Sequence, residues 1–390
     1  MSDTTEITVT APRKPHLVTK PRVQLLINGT AVRCLEAEVR SNNYYQADAY
    51  SAVLVPDDPL YGVAALNSAW WCADTTGSTA QPVLATVQID PGFSQSPNWT
   101  TMIVGKIDAL EYDPMTGELH ISGRDLTADM IEARTFGSFK NQTSSQVATT
   151  IAGRHGLTPQ VTATTTPIDR YYVVDHDKLT LGDFTHATSE WDLLTYLAQK
   201  ESFDVFVVGT TLYFQPSAQP GQNPITISLA HGAGYLVSNG IDLKFKRSLT
   251  LARDISVTVQ SWNSRQAKSF KVTAKATGAR KATAGAAPAA GTGNTQNYVF
   301  TKPNMTHDQA QAFANAKLAE LSQHERVIDV SQPGDVTTMP RQGLRITGSG
   351  TDFDHDYYIC DVTRHISAAE GFRMTFEAKN QSPKDVSVVG

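Results

Sequence analysis

Residues 189–216 read SEWDLLTYLAQKESFDVFVVGTTLYFQP, and the division of the chain follows from how this stretch is parsed. Ser189 can accept a hydrogen bond from the first free amides of a helix, and Trp191, Leu194, Leu197 and Ala198 recur on one helical face. After Glu201 the period falls to two through Phe203, Val205 and Val207. Gly209 and Thr210 then turn the chain into Leu212 and Phe214, so an amphipathic helix docks on a hairpin. The polar groups of this α+β unit are scattered and its bulk is apolar, which gives it no catalytic character.

Upstream, Val23, Leu25 and Ile27 alternate up to Asn28-Gly29, a strong hairpin signal, with a return strand over 31–39. Alternating pieces follow at 49–55, 83–89 and 102–110. Pro114 and Gly117 mark a turn between strands ending at Tyr112 and starting at Glu118. Residues 20–123 therefore predict an antiparallel barrel or sandwich with a long loop near 60–81. Asp125 is placed to cap a helix carrying Leu126, Met130 and Ile131, and a second helix starts at Ser144 or Ser145, buries Val147, Ala148, Ile151 and Ala152, and stops at Gly156. Downstream, Leu249, Leu251, Ile255, Val257 and Val259 share one strand face with Arg253 among them, a position that suits a paired or snorkelling arginine. Residues 274–297 are low in complexity and read as a loop or linker. Thr306 and Gln309 form a capping-box pair ahead of a helix with Ala310, Phe313, Ala314, Leu318 and Leu321 on one face, reaching about Glu325. Strands return at 343–348, 357–366 and 372–378.

The length of 390 residues fits two to four domains of roughly 100 residues. Three cysteines, Cys34, Cys72 and Cys360, without a CxxC, support neither a disulfide framework nor a zinc knuckle, and point to a reducing folding compartment. A net charge of −5 with both signs interspersed argues against a dedicated nucleic-acid surface. No apolar run reaches bilayer length, and residues 1–19 read as a polar arm rather than a secretory signal.

Candidate chemistry is sparse. Asp352, Asp354, His355 and Asp356 form the most metal-like stretch, but a calcium loop starting at Asp352 needs glycine and glutamate where Tyr357 and Thr363 stand. A turn between strands is the better reading. Asp175, His176 and Asp177 read as a polar loop, and the basic residues between Lys268 and Lys281 as a solvated loop. No nucleophile elbow, phosphate loop, dinucleotide fingerprint or zinc-protease helix occurs. Catalytic, cofactor and metal residues are therefore expected to be none, and the chain is not expected to be an enzyme.

Five stretches together carry a family resemblance: VGKIDALEYD at 104–113, GRDLTADMIEAR at 123–134, NQTSSQVATTIAGRHGL at 141–157, the 189–216 stretch, and YYICDVTRHISAAEGFRMTFEA at 357–378. In this order and spacing the chain resembles the baseplate hub proteins of contractile-tailed phages, the late control protein D family, which are also similar to the N-terminal part of type VI secretion spike proteins. The resemblance implies a mainly β fold with α+β insertions and two tube-like antiparallel β-barrel domains per protomer, three protomers making a pseudo-hexameric ring. It implies a first barrel over 20–123, an α+β insertion over 124–239, a second barrel over 240–262 and 336–380, a second insertion over 263–335, and a C-terminal tail over 381–390. The implied role is structural: a tail hub in the virion baseplate, assembled in the host cytoplasm, that adapts a six-fold tube to a three-fold spike. The implied partners are copies of itself, the central spike, the tail tube or its initiator, the tape measure protein and baseplate wedge proteins. Strands near 23–27, 107–112 and 372–376 are expected to pair between neighbours. Two alternatives stand beside this: a tail-borne peptidoglycan hydrolase, motivated by the abundance of acids, and a carbohydrate- or receptor-binding tail-tip protein, motivated by Tyr44, Tyr45, Tyr171 and Tyr172.

Overall fold

The computed structural model describes residues 20–54, 83–94, 96–134, 139, 142–165, 168, 189–201, 203–217, 224–231, 236–248, 255–263, 268–275, 296–302, 305, 307–322 and 325–380. The arm over 1–19, the loop over 60–81 and the tail over 381–390 lie outside them, as do Arg253, Thr306, Tyr171, Tyr172 and the Asp175–Asp177 stretch.

The first β unit is a closed barrel. Strands β1 (Arg22–Ile27) and β2 (Thr30–Asn42) form the expected hairpin. Asn28 and Gly29 take positive φ of 45° and 85°, the turn whose twist matches the flanking strands. Then come β3 (Ala49–Leu54), β4 (Leu84–Asp90), β5 (Thr100–Asp113) and β6 (Glu118–Asp125). The order β1-β4-β5-β6-β3-β2 closes through the β1–β2 pair, and all six pairings are antiparallel. Inward side chains, among them Leu25, Val39, Leu54, Val87, Leu119 and Ile121, fill it. Gly123 is required where β5 and β6 meet, because a Cβ there would strike the Lys106 carbonyl and come within 2.6 Å of the Tyr50 hydroxyl.

The α+β unit follows with α1 (Thr127–Glu132), α2 (Ser144–Arg154), β7 (Thr158–Val161), α3 (Glu190–Glu201), β8 (Phe203–Val208) and β9 (Thr211–Pro216). Trp191, Leu194, Leu197 and Ala198 pack on Val205, Leu212 and Phe214, as the helical period requires. The Ser189 hydroxyl accepts from the Asp192 amide at 3.1 Å, and the Asp192 carboxylate accepts from the Ser189 amide at 3.1 Å. The α1 cap differs from expectation. Leu126 holds the cap position without a side-chain bond, while the Asp125 carboxylate accepts from the Thr127 amide and hydroxyl at 3.2 and 2.8 Å.

The remaining elements are β10 (Ile225–His231), β11 (Leu236–Ser238), β12 (Asp242–Arg247), β13 (Ile255–Asn263), β14 (Lys268–Lys275), β15 (Gln296–Thr301), α4 (His307–Ser322), β16 (Arg326–Pro333), β17 (Gly343–Thr347), β18 (Asp356–Ser367) and β19 (Gly371–Lys379). Strand partners correct several expectations here. Residues 225–238, expected in the α+β insertion, pair through β10 with β17. Strand β13, expected in the second barrel, pairs instead with β14 and β15. Its Ile255, Val257 and Val259 pack on Ala310, Ala314 and Leu318 of α4, so this face found a helix rather than a second sheet. Strand β16, expected in the second insertion, lies between β12 and β19. The basic stretch from Lys268 begins as strand rather than loop, and the low-complexity stretch gives its first two residues to β14 and its last two to β15.

The second β unit thus runs β12-β16-β19-β18-β17-β10, around Ile328, Val330, Leu344, Ile346, Tyr357 and Phe376. It repeats the order β2-β3-β6-β5-β4-β1 of the barrel. Even the bulges agree: β5 and β6 slip one register between Ile107 and Ala109, β18 and β19 between Ile359 and Asp361. The units differ where β10 runs parallel to β17, whereas β1 is antiparallel to β4.

Candidate functional site at the seam between the β units

One edge of β2 is shared. Its first part, 30–33, pairs with β1, while Glu36–Asn42 pairs with Ser367–Asp361 of β18. The two β units are thereby fused edge to edge into one thirteen-stranded sheet. Along this seam the Arg40 Nε lies 3.2 Å from Asp361 Oδ2 and the His365 Nε2 lies 3.0 Å from Glu36 Oε1.

Beneath the seam sits a buried polar cluster. Arg364 is 1% exposed, in phase with the apolar Val362 and Ile366. Its Nε donates to the Asp335 carbonyl at 2.8 Å and its Nη2 to the Thr338 carbonyl, pinning the β16–β17 connection. Burial draws its pKa down to about 10, against the pull of Asp335 and Asp48. Arg341 adopts φ 74°, a left-handed backbone that costs a non-glycine residue on the order of 1 kcal/mol. That conformation lets its Nη2 donate to the Asn42 carbonyl at 3.1 Å while the guanidinium lies 4.0 Å from the centre of the Phe206 ring. One side chain thus touches the barrel and the α+β unit from a loop of the second β unit.

The α+β unit is held at two more points. The Trp191 indole N–H donates to the Tyr45 carbonyl at 2.7 Å, and the Tyr358 hydroxyl donates to Asp204 at 3.1 Å. Nearby, the Lys379 ammonium donates to the Tyr44 hydroxyl at 2.7 Å, which donates to Glu377 at 2.9 Å.

Two carboxyls complete the cluster. Asp48 accepts from the Asn42 amide at 2.9 Å, yet burial pushes its pKa up to about 6, against the Arg341 and Arg364 charges. Asp125, joined by its amide to the Asp48 carbonyl at 2.9 Å, is raised well above the carboxylate range by burial and then by Asp48 itself. Because the folded value of Asp48 exceeds its unperturbed 3.8, its contribution is fully present below pH 3.8 and is lost as pH rises through about 6. At 1.36 kcal/mol per pKa unit the loss is on the order of 2–3 kcal/mol. We expect the urea midpoint of the wild type, relative to that of Asp48→Asn, to fall between pH 4 and pH 7. Equal slopes in the two proteins would contradict the assignment.

Sequence reasoning singled out none of Asp48, Arg341 and Arg364. The signal for Arg364 was present, since strand alternation from Val362 to Ile366 puts it on the inner face. The acid-rich stretch lies elsewhere and forms a turn. Asp354 accepts from the Ser349 and Gly350 amides at 2.9 and 3.1 Å, and Asp356 takes Arg345 in a two-pronged pair at 2.7 and 2.9 Å. A shallow hollow of about 230 Å³ on the outer sheet face is lined by Asp242, Lys244, Asp329, Asp361 and Glu377. Among the described residues no group of three or more His, Cys, Asp or Glu is placed to hold a metal ion, and no helix is long and apolar enough to cross a membrane.

Of the strands expected to pair between neighbours, β1 and β19 have both edges occupied within the chain. Only β5 retains an edge. Strand β4 covers it as far as Lys106, and among the described residues nothing pairs with 108–113 on that side.

A family model described as the Alg8 N-terminal domain matches residues 86–368. No curated protein sequence matches the chain. Among solved structures, a tail protein from Neisseria meningitidis MC58 is similar with a TM-score of 0.62 at 14% identity, over 92% of this chain and 96% of that one. The 43 kDa tail protein of prophage MuSo2 from Shewanella oneidensis gives 0.62 at 13% identity, over 93% of this chain and 99% of that one. An E. coli component of the type VI secretion system gives 0.50 at 11% identity, over 93% and 78%. At these identities the likeness is one of fold.

Proposed function

We infer that this chain, which belongs to the family described as the Alg8 N-terminal domain, is a structural protein of a phage-type tail whose work is done by shape and contact rather than turnover. The observation that carries this reading is the doubled β unit: two sheets of matching strand order, fused edge to edge through β2 and β18, in a fold similar to tail proteins along nearly its whole length. The seam cluster supports it, because its ionisable groups are spent on holding three units together.

In this reading the protein is a homotrimeric baseplate hub in the virion. Three chains present six equivalent β units, so a ring with local six-fold character can sit between a six-fold tube and a three-fold spike. The barrel over 20–123 and the sheet built from 225–247 and 326–379 are the two ring domains; 127–217 and 255–322 are the insertions. Tape measure and baseplate wedge proteins would meet the outside of this ring. An obligate ring of this kind buries well over ~2,000 Å² per interface.

Native mass spectrometry of the purified chain tests the proposal. Three copies are expected at micromolar concentration, and a stable monomer or a two-fold dimer would overturn it.

A further inference from the structure

Eight strands form one continuous run, β5-β6-β3-β2-β18-β19-β16-β12. Its outer edges are the far half of β5 and the whole of β12, and among the described residues neither edge has a strand beside it. We propose that these two edges pair with each other between neighbouring copies, β12 of one chain lying antiparallel to residues 109–113 of the next, so that the intermolecular seam repeats the β2–β18 seam inside the chain. The inference rests on the ring reading above and adds to it the strands and their register.

The register comes from superimposing the two β units through their hydrogen-bonded partners. The shared bulge makes Ala109 of β5 equivalent to Asp361 of β18, and Ser122 equivalent to Glu377. Ser122 pairs with Ser51 and Glu377 with Asp329, which pair in turn with Glu38 and Lys244. Lys244 therefore occupies the place of Glu38, and Lys246 that of Arg40. Inside the chain Glu38 faces His365 and Arg40 faces Thr363. Carried across, Lys244 faces Asp113 of the next copy, Lys246 faces Glu111, and Phe245 faces Tyr112.

Nothing in the construction of this register used charge, yet it sets two lysines against two acids. Opposite charges directly across an antiparallel pair are favourable and like charges unfavourable, so the match favours this partner. Burial agrees. The internal seam leaves Val362 and Arg364 0% and 1% exposed, while the equivalent Leu110 is 38% exposed in the isolated chain. Alternation on β12, with Asp242, Lys244 and Lys246 exposed and the residues between them half-buried, has the same phase as Glu36, Glu38 and Arg40 on β2. Because the two edges differ, the contact is head to tail, the kind that closes rings when the rotation permits.

Directly opposed strand residues have Cα atoms within disulfide reach. Full-length protein carrying Glu111→Cys and Lys246→Cys is expected to give covalent dimers and higher species under mild oxidation, with at least tenfold less from Glu111→Cys with Asp242→Cys, four positions away. Wild type and each single variant, oxidised alike, set the background from the natural cysteines. An assembled protein that gives no 111–246 link, or links 111 to 242 equally, overturns this seam and leaves the hub reading standing. A monomeric wild type overturns both. Should the cysteine pair disturb assembly, Lys246→Glu provides a second measurement. It is expected to weaken association about tenfold, with Glu111→Lys in the same chain restoring it; weakening without restoration counts against the register.

Discussion

Arg364→Ala is expected to be the most destabilising single change at the seam, lowering stability by about 4 kcal/mol, with Arg364→Met costing about 2–3 kcal/mol. The guanidinium is almost wholly buried and bonded to the carbonyls of Asp335 and Thr338, so its removal strands two acceptors, one of them on the buried Thr338. Methionine restores most of the volume but none of the donors, and the gap between the two variants isolates the cavity contribution. Arg364 also offsets part of the burial cost of Asp48, so either change raises the Asp48 pKa further. Urea unfolding at pH 7 checks this, and near-wild-type midpoints for both variants would refute it. A chain of several units need not unfold in one step, so amide exchange on β18 and β19 is the more direct readout.

Trp191→Ala should cost about 3–5 kcal/mol, confined to the α+β unit. The indole is 4% exposed within the cluster of Leu194, Leu197, Val205 and Phe214, and its N–H reaches Tyr45 across the unit boundary. Truncation leaves a large cavity and an unpaired carbonyl together. Trp191→Phe keeps most of the packing and should lose about 1 kcal/mol. Limited proteolysis distinguishes the outcomes: cleavage within 127–217 should accelerate while the β1–β6 barrel, whose core is separate, stays resistant. Equal acceleration in both units would mean that the two cores unfold as one.

What was legible in the sequence was what depends on near neighbours. Asn28-Gly29 dictates its hairpin because both residues readily take the left-handed backbone that this two-residue turn uses, and the reciprocal bonds of Ser189 and Asp192 start α3 without help from elsewhere. The second β unit was harder, since alternation says that a strand has an inner face but not which strand lies beside it. Strand β13 alternates as clearly as β3, yet the partners that claimed it are β14, β15 and α4. Strand β16 went unseen because its pairings, Val327 with Lys379 and Ile328 with Ala378, join positions some fifty residues apart. The seam cluster was hidden for a related reason. Asp48 sits in a loop-like stretch, and the Arg341 and Arg364 charges that act on it arrive from the far end of the chain.

That arrival has a cost during translation. Arg40 and its partner Asp361 are 321 residues apart, and at about 5–20 residues per second a ribosome needs roughly 16–64 s to travel from one to the other. Throughout that interval the nascent barrel carries one edge of Glu36–Asn42 bare. The edge that later joins the two β units is thus open to mispairing on the polysome, and slower elongation or a missing chaperone should show first as insoluble chains truncated short of β18.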